Sequence, residues 1–266
     1  MALPAGLRKS AQLSDGLGAD SDEARVNTST ETSANAEDGL SGDFVLEAGA
    51  HRAVVDSGLA RALSEVQRAG LVWMYAAVHG ELRGCILADG MGVGKTLQVL
   101  ALVHTLVATG QAARVLIAVP SSLVHNWHVE VCKFATPPRV GLALPVTYVG
   151  SEPLQGDGAG AQCDHARRAL WQLQIASSAA PRVVVCSYPQ LLVHGPAFIA
   201  NGGCVDLLVG DEAHSLKGEM THTTRTFAAI SAGARVLITA TPQQNRFEIR
   251  ECSRISGERR RGQRRR

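Results

Sequence analysis

Short runs of Val, Leu and Ile alternate with helix-length stretches from residue 84 to residue 240, and this alternation restricts the fold more than any other feature of the chain. GCILA (84–88), RVLIAV (114–119), PVTYV (145–149), RVVVCS (182–187), VDLLVG (205–210) and RVLITA (235–240) read as strands. Helical stretches are expected from Lys95 to about Thr109, from about Ser121 to Phe134, and near 165–177, 189–199 and 222–231, with a Gly-rich loop at 150–160. The strand runs are rich in Val, Leu and Ile and not polar at alternate positions, so both faces of the sheet must be covered. Strands that alternate with helices in this way run parallel. The expectation is an α/β fold, a mostly parallel sheet with helices on both faces, whose ligands sit at the carboxyl ends of the strands.

An amphipathic helix opens this domain, with Ala62, Val66, Ala69, Leu71, Val72 and Met74 at helical spacing from Leu59 until Gly80 stops it. Before it, residues 11–42 are mostly Ser, Asp, Glu, Thr, Ala, Asn and Gly and offer little to bury. Residues 1–58 are therefore expected to form a disordered acidic leader, in which Phe44, Val45 and Leu46 are an apolar island too small to hold a fold. Residues 247–266 read as a disordered basic tail. The formal net charge of +2 conceals this asymmetry: residues 1–50 carry nine acids and three bases, residues 246–266 nine bases and three acids. The middle, with fourteen bases and twelve acids, is near neutral, so a global basic field for nucleic acid is excluded. Six dispersed Cys without a CxxC pair suggest free thiols in a reducing compartment. No stretch approaches the ~18 apolar residues of a membrane span, and the protein is expected to be soluble, intracellular and without a membrane partner.

Three segments carry chemistry. After the first strand come Ala88-Asp89-Gly90-Met91-Gly92-Val93-Gly94-Lys95-Thr96 and an apolar helix. Gly92 and Gly94 let backbone N–H groups crowd around phosphate oxygens, Lys95 reaches the β/γ-phosphates, and Thr96 can ligate Mg²⁺. Asp89 stands where the general P-loop pattern has its first Gly. The second segment is VDLLVG running into Asp211-Glu212-Ala213-His214. Asp211 is placed to hold Mg²⁺ through water and Glu212 to polarise the attacking water. The third is RVLITATPQQN, which gains meaning only from its order after the other two. His125, His128 and Cys132 share a helix without a fourth ligand and are set aside as a metal site. Trp73 and Trp127 are expected to pack on apolar helix faces.

ADGMGVGKTLQ, DEAH followed by SLKG, and TATPQQN resemble, in that order, motifs I, II and III of the SWI/SNF-type ATPases, DNA translocases of helicase superfamily two. Gln67, Gly70 and Trp73 resemble the adenine-recognition segment of that family. VPSSLVHNW (119–127) is similar to motif Ia of its Rad fifty-four-like recombination-repair and ATRX group, and Ser187-Tyr188 to the next strand-end motif. The resemblance implies that residues 59–246 form a single RecA-like ATP-binding lobe that uses ATP and Mg²⁺. It further implies that Gln67 contacts adenine, that Gly92, Val93, Gly94, Lys95 and Thr96 hold phosphates and metal, and that Asp211 and Glu212 act with Lys95 in catalysis. His214, Thr239 and Thr241 would couple the nucleotide state to DNA, and Ser121 and Ser122 would face the DNA backbone. The implied partners are double-stranded DNA or chromatin, with recombination or histone-associated proteins, in the nucleus.

The chain departs from the family pattern at Gly90, Val93 and Val66, none of which removes a phosphate or metal ligand. After Asn245 the pattern fades within a few residues, and the second lobe is expected to be absent. That lobe supplies an arginine finger, a contribution on the order of 10³–10⁵ in rate in comparable NTPases. A nucleotide-binding module without turnover is the alternative reading, and a small P-loop kinase a third.

Overall fold

The computed structural model describes residues 43–135, 144–150, 159–216 and 221–240, and of residues 159–164 the backbone alone. Strands β1 (Val45–Ala48) and β2 (His51–Val54) form an antiparallel hairpin, followed by helices α1 (Ser57–Ala62) and α2 (Glu65–His79). Then come β3 (Gly84–Leu87), α3 (Lys95–Ala108), β4 (Arg114–Val119), α4 (Val124–Ala135), β5 (Val146–Val149) and α5 (Ala159–Gln174). The described fold closes with β6 (Arg182–Ser187), α6 (Tyr188–Ala200), β7 (Cys204–Gly210), α7 (His222–Ala229) and β8 (Ser231–Ile238).

Strands β3 to β8 make one six-stranded sheet in the order β3-β8-β7-β4-β6-β5, parallel throughout. Alternate side chains of each strand enter opposite cores, as the pleat requires. Val115, Ile117 and Val119 of β4 pack with α1 to α4, whereas Leu116 and Ala118 pack with α5, α6 and α7. This is the expected α/β sheet covered on both faces.

The ends differ from expectation in two ways. Ordered structure begins before residue 59, because the hairpin and α1 are part of the fold. Leu46 is fully buried, Ala53 and Val55 nearly so, and Val55 N–H donates to Phe44 O at 2.9 Å. The apolar island is too small to fold alone, but α2 and α3 give it a surface to pack on. Nor is the opening helix continuous. Leu63 and Ser64 leave helical geometry, and a capping box restarts the chain as α2: Gln67 N–H donates to Ser64 Oγ (3.3 Å) and Ser64 N–H to Gln67 Oε1 (2.9 Å).

The sheet is pinned at its amino edge. Asp206 of β7 accepts Arg114 Nη2 at 2.7 Å on one oxygen, and the Ala113 and Arg114 N–H groups at 2.8 and 2.9 Å on the other. Among the described residues no helix is long and apolar enough to cross a membrane.

Candidate functional site

The loop between β3 and α3 is shaped by Gly92 and Gly94, both left-handed at φ +81°. Gly94 is the N-cap of α3 and brings no side-chain cap. The first-turn N–H groups of α3 are thus left for an acceptor from outside the helix. Lys95 Nζ donates to the carbonyls of Asp89 (2.8 Å) and Gly90 (2.7 Å), which stretches the ammonium back across the loop. Thr96 follows in the first turn, half-buried. Gln67 Nε2 donates to Val93 O at 2.9 Å, so the same amide that closes the α2 capping box also holds the loop. A Cβ on Gly94 would lie 2.2 Å from Gln67 Nε2, and only glycine allows this approach.

Because β8 lies between β3 and β7, the carboxyl ends of these three strands bring together the Lys95 loop, Thr239 and Asp211. Thr239 is fully buried, and its N–H continues the β3–β8 ladder to Leu87 O at 3.0 Å. Asp211 is 7% exposed and held on every polar atom. Its N–H donates to Ala118 O (2.8 Å) and its carbonyl accepts Tyr188 OH (2.7 Å). Oδ1 accepts Glu212 N–H and Oδ2 accepts Trp127 Nε1, each at 2.8 Å. Burial pushes the Asp211 carboxyl above its usual range and the Glu212 charge adds to this, while the Trp127 indole, the Glu212 N–H and the Lys95 charge pull it part of the way back.

Glu212 adopts φ +48°, a left-handed backbone that costs a non-glycine residue roughly 1–2 kcal/mol. His214 Nδ1 lies 2.8 Å from Glu212 Oε2, yet neither atom has a partner in hydrogen-bond geometry. Ser121 and Ser122 are exposed on a 3-10 turn (Ser121–Leu123) after β4, at the same carboxyl edge. Thr241 lies outside the described residues.

Residues 66–252, more than half of the chain, match the family described as the SNF2-related domain. The chain belongs to the SNF2-related family. It is 36% identical over 204 residues to the rice (Oryza sativa subsp. japonica) DNA repair and recombination protein RAD54, covering 73% of this chain and 19% of that protein. It is 35% identical over 205 residues to Protein CHROMATIN REMODELING 25 of Arabidopsis thaliana, covering 73% and 21%. Among solved structures it is similar to the Sulfolobus solfataricus SWI2/SNF2 ATPase core in complex with dsDNA, with a TM-score of 0.51 and 23% identity over 69% of this chain and 33% of that one. That likeness shows the fold, a RecA-like α/β lobe. The chain spans about a fifth of the length of these two plant relatives.

For an SNF2-related lobe, the residues present fit a Mg-nucleotide. Mg²⁺ is ordinarily held by one or two carboxylates together with substrate phosphates, and not by an all-protein cage. Among the described residues there is no group of three or more His, Cys, Asp or Glu able to hold a metal. His128 Nε2 lies 3.4 Å from Cys132 Sγ. Each Asp211 oxygen keeps a lone pair beyond its one donor. Glu212 Oε2, buried beside His214 Nδ1 and without a hydrogen bond, is a second carboxylate acceptor next in the chain to Asp211.

Two side chains that hold Asp211 escape sequence reasoning. Trp127 is buried as expected, but its indole N–H reaches Asp211 across 84 positions of sequence. Tyr188 OH reaches the carbonyl of the same residue. Both stand in segments singled out above, yet spacing alone cannot pair them with Asp211. Trp73 differs from the packing expectation and is 49% exposed: the buried stripe of α2 runs through Leu71, Met74, Tyr75 and Val78.

Proposed function

We propose that the chain is the ATP-binding lobe of an ATP-dependent duplex-DNA translocase of the chromatin-remodelling or recombinational-repair class. The observation that carries this reading is the meeting of the Lys95 loop and Asp211 at the carboxyl edge of three neighbouring strands, close enough for the Lys95 charge to act on the Asp211 carboxyl. Gly92, Val93 and Gly94 would offer backbone N–H groups to the phosphates, and Lys95 would exchange its two loop carbonyls for phosphate oxygens. Thr96 and Asp211 would hold Mg²⁺, which neutralises phosphate charge as the terminal phosphoryl group is transferred to water. Glu212 would accept the proton of that water. Gln67 already holds Val93, and an adenine contact by its amide would tie base recognition to the loop. His214, Thr239 and Thr241 would couple the nucleotide to DNA.

Ser121 and Ser122 would meet the DNA backbone through neutral donors, which position a duplex without reading it. A duplex-DNA or chromatin partner, with recombination or histone-associated proteins, places the protein's action in the nucleus.

Phosphate release from Mg-ATP, with and without random-sequence duplex, tests the proposal. DNA-stimulated release that Glu212→Gln lowers at least tenfold while nucleotide binding persists is the expected result. Binding without release would identify a nucleotide-binding module. Release indifferent to both DNA and Glu212→Gln would contradict the assignment.

A further inference from the structure

We infer that Trp127 is a positioning residue that couples the Ser121–Ser122 turn to the metal-organising Asp211. The inference rests on the nucleotide-site reading above and adds a route by which DNA would act on that site.

The route is short and made of packed parts. The 3-10 turn Ser121–Leu123 runs directly into α4, and Leu123 N–H donates to Pro120 O at 2.9 Å, tying the turn to the end of β4. Helix α4 buries Val124, Trp127, Val131 and Phe134 along one stripe against the sheet. Trp127 is thus less than two turns below the exposed serines, on the order of 10 Å along the axis. At 1% exposure it is among the largest fully buried side chains of the protein, and its ring is caged. The indole has a single donor and no acceptor, so a buried Trp N–H has to find one acceptor, and here it is Asp211 Oδ2 at 2.8 Å.

Three of the four polar atoms of Asp211 are fixed by the β4 backbone, by the Glu212 N–H or by Tyr188. The fourth, Oδ2, is held by a side chain whose position α4 dictates. A displacement of the Ser121–Ser122 turn moves α4, and the rigid indole carries that displacement to Oδ2 alone, which reorients the carboxylate without unfolding the strand end. By linkage, metal bound at Asp211 then favours the same α4 position that DNA favours.

The protein provides its own probe. Its three tryptophans are Trp73, Trp127 and Trp171, and Trp73 and Trp171 are 49% and 57% exposed. In Trp73→Phe/Trp171→Phe protein, Trp127 is the sole indole. Its emission should change when Mg²⁺ and a non-hydrolysable ATP analogue are added together, and again when random-sequence duplex is added without nucleotide.

In the full chain with Trp127→Phe, a fluorescent ATP analogue should require about tenfold more Mg²⁺ for half-saturation, the size of effect seen when a group that orients a metal ligand is lost. Duplex DNA should tighten Mg-nucleotide binding several-fold in the wild type and by less than twofold in Trp127→Phe. Trp127 emission that ignores both ligands while the fluorescent analogue binds would overturn the inference, and this measurement does not depend on the stability of Trp127→Phe. Undiminished coupling in Trp127→Phe, or none in the wild type, would overturn it equally. No nucleotide binding by the wild type would mean that the site reading itself had failed.

Discussion

At the scale of single residues, two glycines with the same backbone have different duties. Gly92 and Gly94 share φ +81°, but a Cβ at Gly92 meets nothing within 4 Å, whereas one at Gly94 meets the Gln67 amide. Gly92→Ala should cost the roughly 1–2 kcal/mol of a left-handed alanine. Gly94→Ala should cost more and also weaken nucleotide binding, because Gln67 must release Val93. Urea unfolding and titration with a fluorescent ATP analogue measure both, and equal losses at the two positions would refute the role given to Gln67. The candidate loop of Gly92, Gly94, Lys95 and Thr96 is legible because its residues stand in a row in the sequence. The Asp211 clamp was not, since Trp127 and Tyr188 reach it through packing between elements distant in sequence.

At the scale of elements, apolar runs located all six strands of the main sheet. Its edges were harder to read. β8 begins at Ser231, earlier than its branched residues indicate, because Ser231, Ala232 and Ala234 pair with β7 without a strand-like composition. The hairpin was missed for the converse reason: its stability comes from α2 and α3, not from its own residues. At the amino edge, burial raises the Asp206 carboxyl, but the hydrogen bonds from Arg114 and the Ala113 and Arg114 N–H groups, with the Arg114 charge, outweigh it. The folded carboxyl lies below its usual range. Its stabilisation is therefore complete above the ordinary carboxylate range and is lost as pH falls through the lower folded value. Asp206→Asn should cost about 2 kcal/mol at pH 7, and less as pH falls through that window. Urea midpoints for both proteins between pH 7 and pH 3 check this, and a gap independent of pH would contradict it.

At the scale of the whole molecule, charge and chemistry are separated. The catalytic candidates lie in a nearly neutral region, while residues 246–266 hold nine of the 26 Lys and Arg. Counterion release scales with the phosphates neutralised, so deletion of residues 249–266 should flatten the dependence of log affinity on log salt for duplex DNA. Ser121→Ala/Ser122→Ala should leave that slope unchanged, because neutral contacts release no counterions. An unchanged slope after the deletion, with a large loss in the serine variant, would show that the lobe itself grips DNA. The central claim concerns the site: the loop around Lys95 and the carboxylate of Asp211 form one Mg-nucleotide pocket. Calorimetric titration of Mg-ATP into the full chain and into Lys95→Ala tests it most directly. Saturable one-to-one binding by the wild type and no detectable heat with Lys95→Ala is the predicted result; equal affinity in the two proteins would contradict it.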